Sequence, residues 1–79
     1  MSEIKLFEII ARVLNTQIEK IDEQSNPKTI PSWDSFTGYV LLDEIESAFN
    51  VSITLEEVLE IENVGDFKKI LKEKGINFE

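Results

Sequence analysis

Apolar residues recur at helical spacing in four places along this chain. Ile4, Phe7, Ile10, Ala11 and Leu14 follow the i, i+3, i+4, i+7 rule and predict an amphipathic helix over roughly residues 3–14. From Ser35 to Phe49 the pattern returns with Leu41, Leu42, Ile45, Ala48 and Phe49. Leu55, Val58, Leu59 and Ile61 suggest a short third helix, and Val64, Phe67, Ile70 and Leu71 a fourth that ends near Lys74. Val51-Ser52-Ile53 alternates, but three residues between helical stretches read better as a connector than as a strand.

Start and stop signals support these divisions. Thr54 with Glu57 three residues on is a capping box, each side chain satisfying a free backbone N–H of the first turn. Asp34 and Asn63 stand where they can cap the second and fourth helices, with Asp66 at the favourable positive end of the fourth helix's dipole. Gly75 follows Lys68, Lys69, Lys72 and Lys74, a suitable C-terminal residue after cations that suit the negative end. The prediction is an all-α fold. It is a small four-helix bundle, a single domain over residues 1–79, with a long loop between helices 1 and 2 and a short third helix. The expected core is Phe7, Ile10, Leu14, Leu41, Leu42, Ile45, Phe49, Ile53, Val58, Leu59, Ile61, Val64, Phe67, Ile70 and Leu71.

Residues 15–34 hold Asn26, Pro27 and Pro31 and show no sustained period. Loops this long are uncommon in compact domains. Ile18, Ile21 and Ile30 give this one a means of folding back on the bundle, so we read it as ordered.

The second helix carries more apolar surface than a core needs. At about 100° per residue, Gly38, Leu41, Leu42, Ile45, Ala48 and Phe49 share one arc. Phe36, Tyr39, Val40, Asp43, Glu44 and Glu46 fall outside it. Either the bundle wraps far enough to bury Phe36 and Val40, or these residues form an apolar patch among acids that suits a basic partner. Gly38 costs about 1 kcal/mol against alanine in a helix interior and suggests that another helix packs close there.

Composition narrows the chemistry. The chain has 79 residues, no Cys and no His. It therefore lacks the residues of a zinc finger, a disulfide scaffold, a thiol nucleophile or a Ser-His-Asp triad, and an independent enzyme is not expected. Sixteen acids against eight bases give a net charge of −8, which disfavours nucleic acid and anionic membranes as partners. All nine acids from Asp34 to Asp66 lie in a stretch between Thr29 and Phe67 that contains no Lys or Arg. No metal site is expected. The best calcium-loop candidate, starting at Asp22, has Gln24 at its third position, Pro27 for the turn glycine and Trp33 for the bidentate glutamate. No apolar run reaches 18 residues, and Met1-Ser2-Glu3-Ile4-Lys5 lacks the regions of a signal peptide, so cytoplasmic is the default.

Three blocks then stand together: Trp33-Asp34-Ser35-Phe36, the stretch from Glu46 through Phe49 to Val51-Ser52-Ile53, and Ile61-Glu62-Asn63-Val64-Gly65-Asp66-Phe67. In order and spacing they resemble the acyl carrier protein family over nearly the whole chain. That family has an Asp-Ser-Leu-like tripeptide opening its second helix, then Glu-x-x-Phe-x-(Ile/Val)-x-Ile, then a Thr-Val-Gly-Asp-like start to its last helix. The resemblance implies that Ser35, beside Asp34, is esterified by 4′-phosphopantetheine from coenzyme A through a phosphopantetheinyl transferase. The thiol arm would then hold acyl or aminoacyl groups as thioesters.

The resemblance also implies that Phe36, Tyr39, Val40, Asp43, Glu44 and Glu46 form the surface that meets partners. Those partners would be the transferase, an acyl- or aminoacyl-loading enzyme and downstream transferases or synthases, served by a monomeric carrier. Ser32-Trp33 before the Asp-Ser pair, Thr37-Gly38 after it and Val40 in place of an acid depart from the fatty-acid-synthesis pattern. They look more like stand-alone carriers of polyketide-type, aminoacyl or sugar-modifying pathways. A small core rich in large side chains leans towards short or polar cargo. The alternative is a carrier-fold adaptor that is never modified and binds basic partners through its acidic second helix.

Overall fold

The computed structural model describes residues 2–78, and the regular elements among them are all helical. Helix α1 spans Ser2–Val13, α2 Ser35–Phe49, α3 Leu55–Leu59 and α4 Val64–Glu73. The predicted all-α bundle, with its long first connection and short third helix, is the observed one.

Caps place the helices. At α2 the Thr37 N–H donates to Asp34 Oδ1 (3.0 Å) while the Asp34 N–H donates to Thr37 Oγ1 (2.8 Å), closing a capping box. The expected box at α3 is present, with Glu57 N–H on Thr54 Oγ1 (3.2 Å) and Thr54 N–H on Glu57 Oε1 (2.8 Å). At α4 the Asp66 N–H donates to Asn63 Oδ1 (2.9 Å). Asn50 ends α2 at φ +57°, a left-handed conformation that asparagine tolerates. Gly75, at φ +98°, lies just beyond α4, where a side chain would be strained.

The long connection between α1 and α2 is ordered by the means its isoleucines suggest. Ile21 and Ile30 are buried in the core and Ile18 packs against it, with a 3-10 turn over Ile18–Lys20. Its polar backbone is also used. The Val64 and Gly65 amides at the start of α4 donate to the loop carbonyls of Ser25 (3.0 Å) and Glu23 (2.7 Å). At the far end Ser32 Oγ donates to the carbonyl of Leu14 (2.6 Å). The loop thus supplies acceptors that a helix start otherwise lacks.

Packing corrects the expected core at several points. Ile10, Leu14, Leu41, Ile45, Val64, Phe67, Ile70 and Leu71 are buried as expected, and Phe7, Leu42, Phe49, Ile53 and Ile61 pack against them half-buried. On α1 the buried stripe is rotated towards Leu6, Ile9 and Ile10, which leaves Ile4 55% exposed. That helix is apolar at so many positions that two overlapping stripes satisfy the same period. Val58 and Leu59 stand outside the packed core: Val58 is only half-buried, and Leu59 is 76% exposed, because a five-residue helix puts Leu55 and Leu59 together on its outer side. Trp33 joins the core and stacks on Phe67, ring centroids 6.1 Å apart. Among the described residues no helix packs against Gly38. The neighbour closest to a side chain built there is Trp33 Nε1, 3.7 Å from the Cβ position.

Candidate functional site

Ser35 is the first residue of α2, and the capping box fixes its backbone. Its side chain is exposed, and its hydroxyl makes no hydrogen bond among the described residues. Asp34 beside it is exposed too, yet committed. The Thr37 N–H, with help from the Phe36 amide, holds its carboxyl below the usual carboxylate range. Thr37 Oγ1 also donates to the carbonyl of Ser32 (2.7 Å), tying the end of the loop to the first turn of α2.

Ser35 borders an open cavity of about 230 Å³. Its walls are mostly apolar, with Leu42 from α2, Val58 and Ile61 from around α3, Phe67 from α4 and the buried Trp33. Gly38, one turn after the serine, also lines it, as does Tyr39. The exposed hydroxyl and the apolar recess are therefore adjacent. A group attached to this hydroxyl would have the recess as a surface to lie against.

The six residues expected to meet partners divide into two kinds. Phe36 and Tyr39 are 76% and 70% exposed, so the bundle does not wrap around them, and Val40 is half-buried. Asp43 is exposed and has no ion pair or hydrogen bond among the described residues. Glu44 and Glu46 are engaged within the molecule. Arg12 of α1 pairs with Glu44 Oε1 at 3.0 Å, and the Ile53 N–H donates to Glu46 Oε2 at 2.7 Å. Glu46 therefore anchors the connector to α3. Sequence spacing alone does not expose this, because the bond joins positions seven apart across a turn. Trp33 and Gly38 as cavity walls were likewise hidden, although the Trp33-Asp34-Ser35 string placed the indole next to the serine.

No protein-family profile matches the chain, and neither does any curated protein. Among solved structures it is similar to a candidate acyl carrier protein from Mycobacterium tuberculosis. The TM-score is 0.83 and the identity 23%, over 94% of this chain and 99% of that one. The likeness is one of fold. The all-helical arrangement is shared over nearly the full length of both chains. No helix among the described residues is long and apolar enough to cross a membrane.

Proposed function

We propose that this chain is a carrier protein of the acyl carrier type, modified on Ser35 by 4′-phosphopantetheine. The observation that carries the reading is an exposed, unengaged serine hydroxyl at the first position of a capped helix, at the edge of an apolar cavity, in a fold of this kind. The residues fit the group. A phosphodiester at the start of α2 lies at the positive end of the helix dipole, and the recess offers the arm apolar contact. When bound, the group supplies a thiol that this chain, lacking cysteine, does not have.

The protein's own part is to hold Ser35 in a fixed turn and to present α2 to enzymes in succession. Those are a phosphopantetheinyl transferase, an acyl- or aminoacyl-loading enzyme, and the transferases or synthases that consume the cargo. Phe36, Tyr39, Val40 and Asp43 form the docking face. Glu44 contributes at its margin, and Glu46 acts mainly by holding the connector. The chain does no catalysis of its own.

Intact mass after incubation with coenzyme A and a broad-specificity transferase tests this. We expect the gain of one phosphopantetheine in the wild type and none in Ser35→Ala. An unchanged mass in folded wild-type protein, with a known carrier modified in parallel, rejects the carrier reading in favour of an unmodified adaptor.

A further inference from the structure

The cavity beside Ser35 has one feature that its apolar walls do not explain. The Trp33 side chain is only 7% exposed, yet its indole N–H has no hydrogen-bond acceptor among the described residues. Every fully buried side-chain N or O atom among them does have a partner, so this N–H is not sealed in the core; it lies beside Gly38, which lines the cavity together with Trp33. Gly38 stands over it. A Cβ at position 38 would sit 3.7 Å from Nε1, an ordinary van der Waals contact, so packing does not demand glycine there. What the missing side chain leaves is an open approach to the donor.

We propose that the Trp33 indole N–H, reached across Gly38, is the polar anchor of this cavity and donates to a neutral carbonyl oxygen of whatever is attached at Ser35. The inference rests on the carrier reading above. Chemistry selects the acceptor. An indole N–H only donates, so the ligand atom must accept. A carboxylate or phosphate is disfavoured in a mostly apolar recess on a chain of net charge −8. An amide or thioester carbonyl remains, and a short attached chain supplies one. At about 230 Å³ the space is below the usual range for small-molecule pockets, so it takes a short segment rather than a long chain. Trp33 is thus a positioning residue for the attached group, set apart from the partner-facing side chains of α2.

The chain has a single tryptophan, so one indole resonance in a proton–nitrogen correlation spectrum reports on this group alone. Spectra are compared for the full chain unmodified, carrying the phosphopantetheine arm, and carrying a butyryl-loaded arm, each form verified by intact mass. We expect the indole proton to move downfield and its exchange with water to slow about tenfold, equivalent to about 1.4 kcal/mol. A change already present with the arm alone identifies an arm amide as the acceptor. A change only after butyrylation identifies the thioester carbonyl. Either result upholds the proposal. In Gly38→Ala, which relieves the helix-interior cost of glycine, both changes should vanish from mass-verified protein. An indole signal identical in all three mass-verified forms overturns the proposal, as does a shift that survives in Gly38→Ala. A missing mass gain is a separate failure: it rejects the carrier reading, and the anchor falls with it.

Discussion

The carboxylates of Asp34 and Glu57 each close a capping box, and each is held below the usual carboxylate range, chiefly by the backbone N–H it accepts from: Thr37 for Asp34 and Thr54 for Glu57. A folded-state pKa below the unfolded one means that the unfolded chain binds protons first. The contribution of these groups is therefore present above the ordinary carboxylate pKa of about 4 and is lost as pH falls through the lower folded value. Urea midpoints are expected to fall on acidification below about pH 4, and to fall less in an Asp34→Asn, Glu57→Gln double variant. An equally steep decline in the double variant would remove the caps from the account. Burial gives a second residue-scale expectation. Ile45 is fully buried, and Ile45→Ala should cost about 2–5 kcal/mol, whereas exposed Leu59→Ala should stay within about 0.5 kcal/mol. Chemical denaturation of the two variants decides it, since periodicity alone assigns both residues to the core.

At the scale of elements, what the sequence makes legible is what local rules control. Caps at Asp34, Thr54 and Asn63, and the turn at Gly75, act within a few residues and lie where the pattern puts them. The rotation of α1 towards Leu6 and Ile9 was not legible, because eight apolar residues between Ile4 and Leu14 satisfy two stripes, and only α2 and the loop select one. The loop shows the same division. Its isoleucines announced that it folds back. Its service as acceptor for the Val64 and Gly65 amides depends on bonds between residues about forty positions apart. At the candidate site, the Asp34 cap and the place of Ser35 at the start of α2 were readable from the sequence, while the cavity behind them needs α3 and α4 in place. The start of α4 combines both kinds of support, and that makes it testable. Asn63→Ala removes the local cap and leaves the loop carbonyls, so the expected cost is about 1 kcal/mol with the fold retained. Unfolding monitored by circular dichroism reads it, and outright loss of the fold would mean that the loop contacts depend on the cap.

For the whole molecule the governing quantity is where charge sits. All eight bases lie outside the stretch that holds nine acids, and several are already spent internally: Lys68 bridges Glu23 (2.7 Å) and Glu3 (3.0 Å), Lys74 pairs with Glu57, and Arg12 with Glu44. The face around Phe36, Tyr39 and Asp43 therefore presents apolar surface and negative potential together, which favours encounter with a basic protein and speeds it at low salt. The acids on α2 are not equivalent in this. Asp43 has no internal partner among the described residues, so Asp43→Lys should leave thermal stability unchanged. On the carrier reading proposed above, it should also lower the second-order rate constant of Ser35 modification by a basic transferase by about tenfold at low ionic strength. Raising salt towards 1 M, where the Debye length shrinks to about 3 Å, should close most of that gap. Glu46→Lys should behave differently, because it removes the acceptor for the Ile53 N–H and so lowers stability at any salt concentration. Stopped-flow or quenched-flow kinetics beside thermal melts separate the two variants. Equal low-salt rate constants for wild type and Asp43→Lys would take the docking face away from this side of α2. A salt-independent loss in both would show that the acids act through the fold rather than through the field.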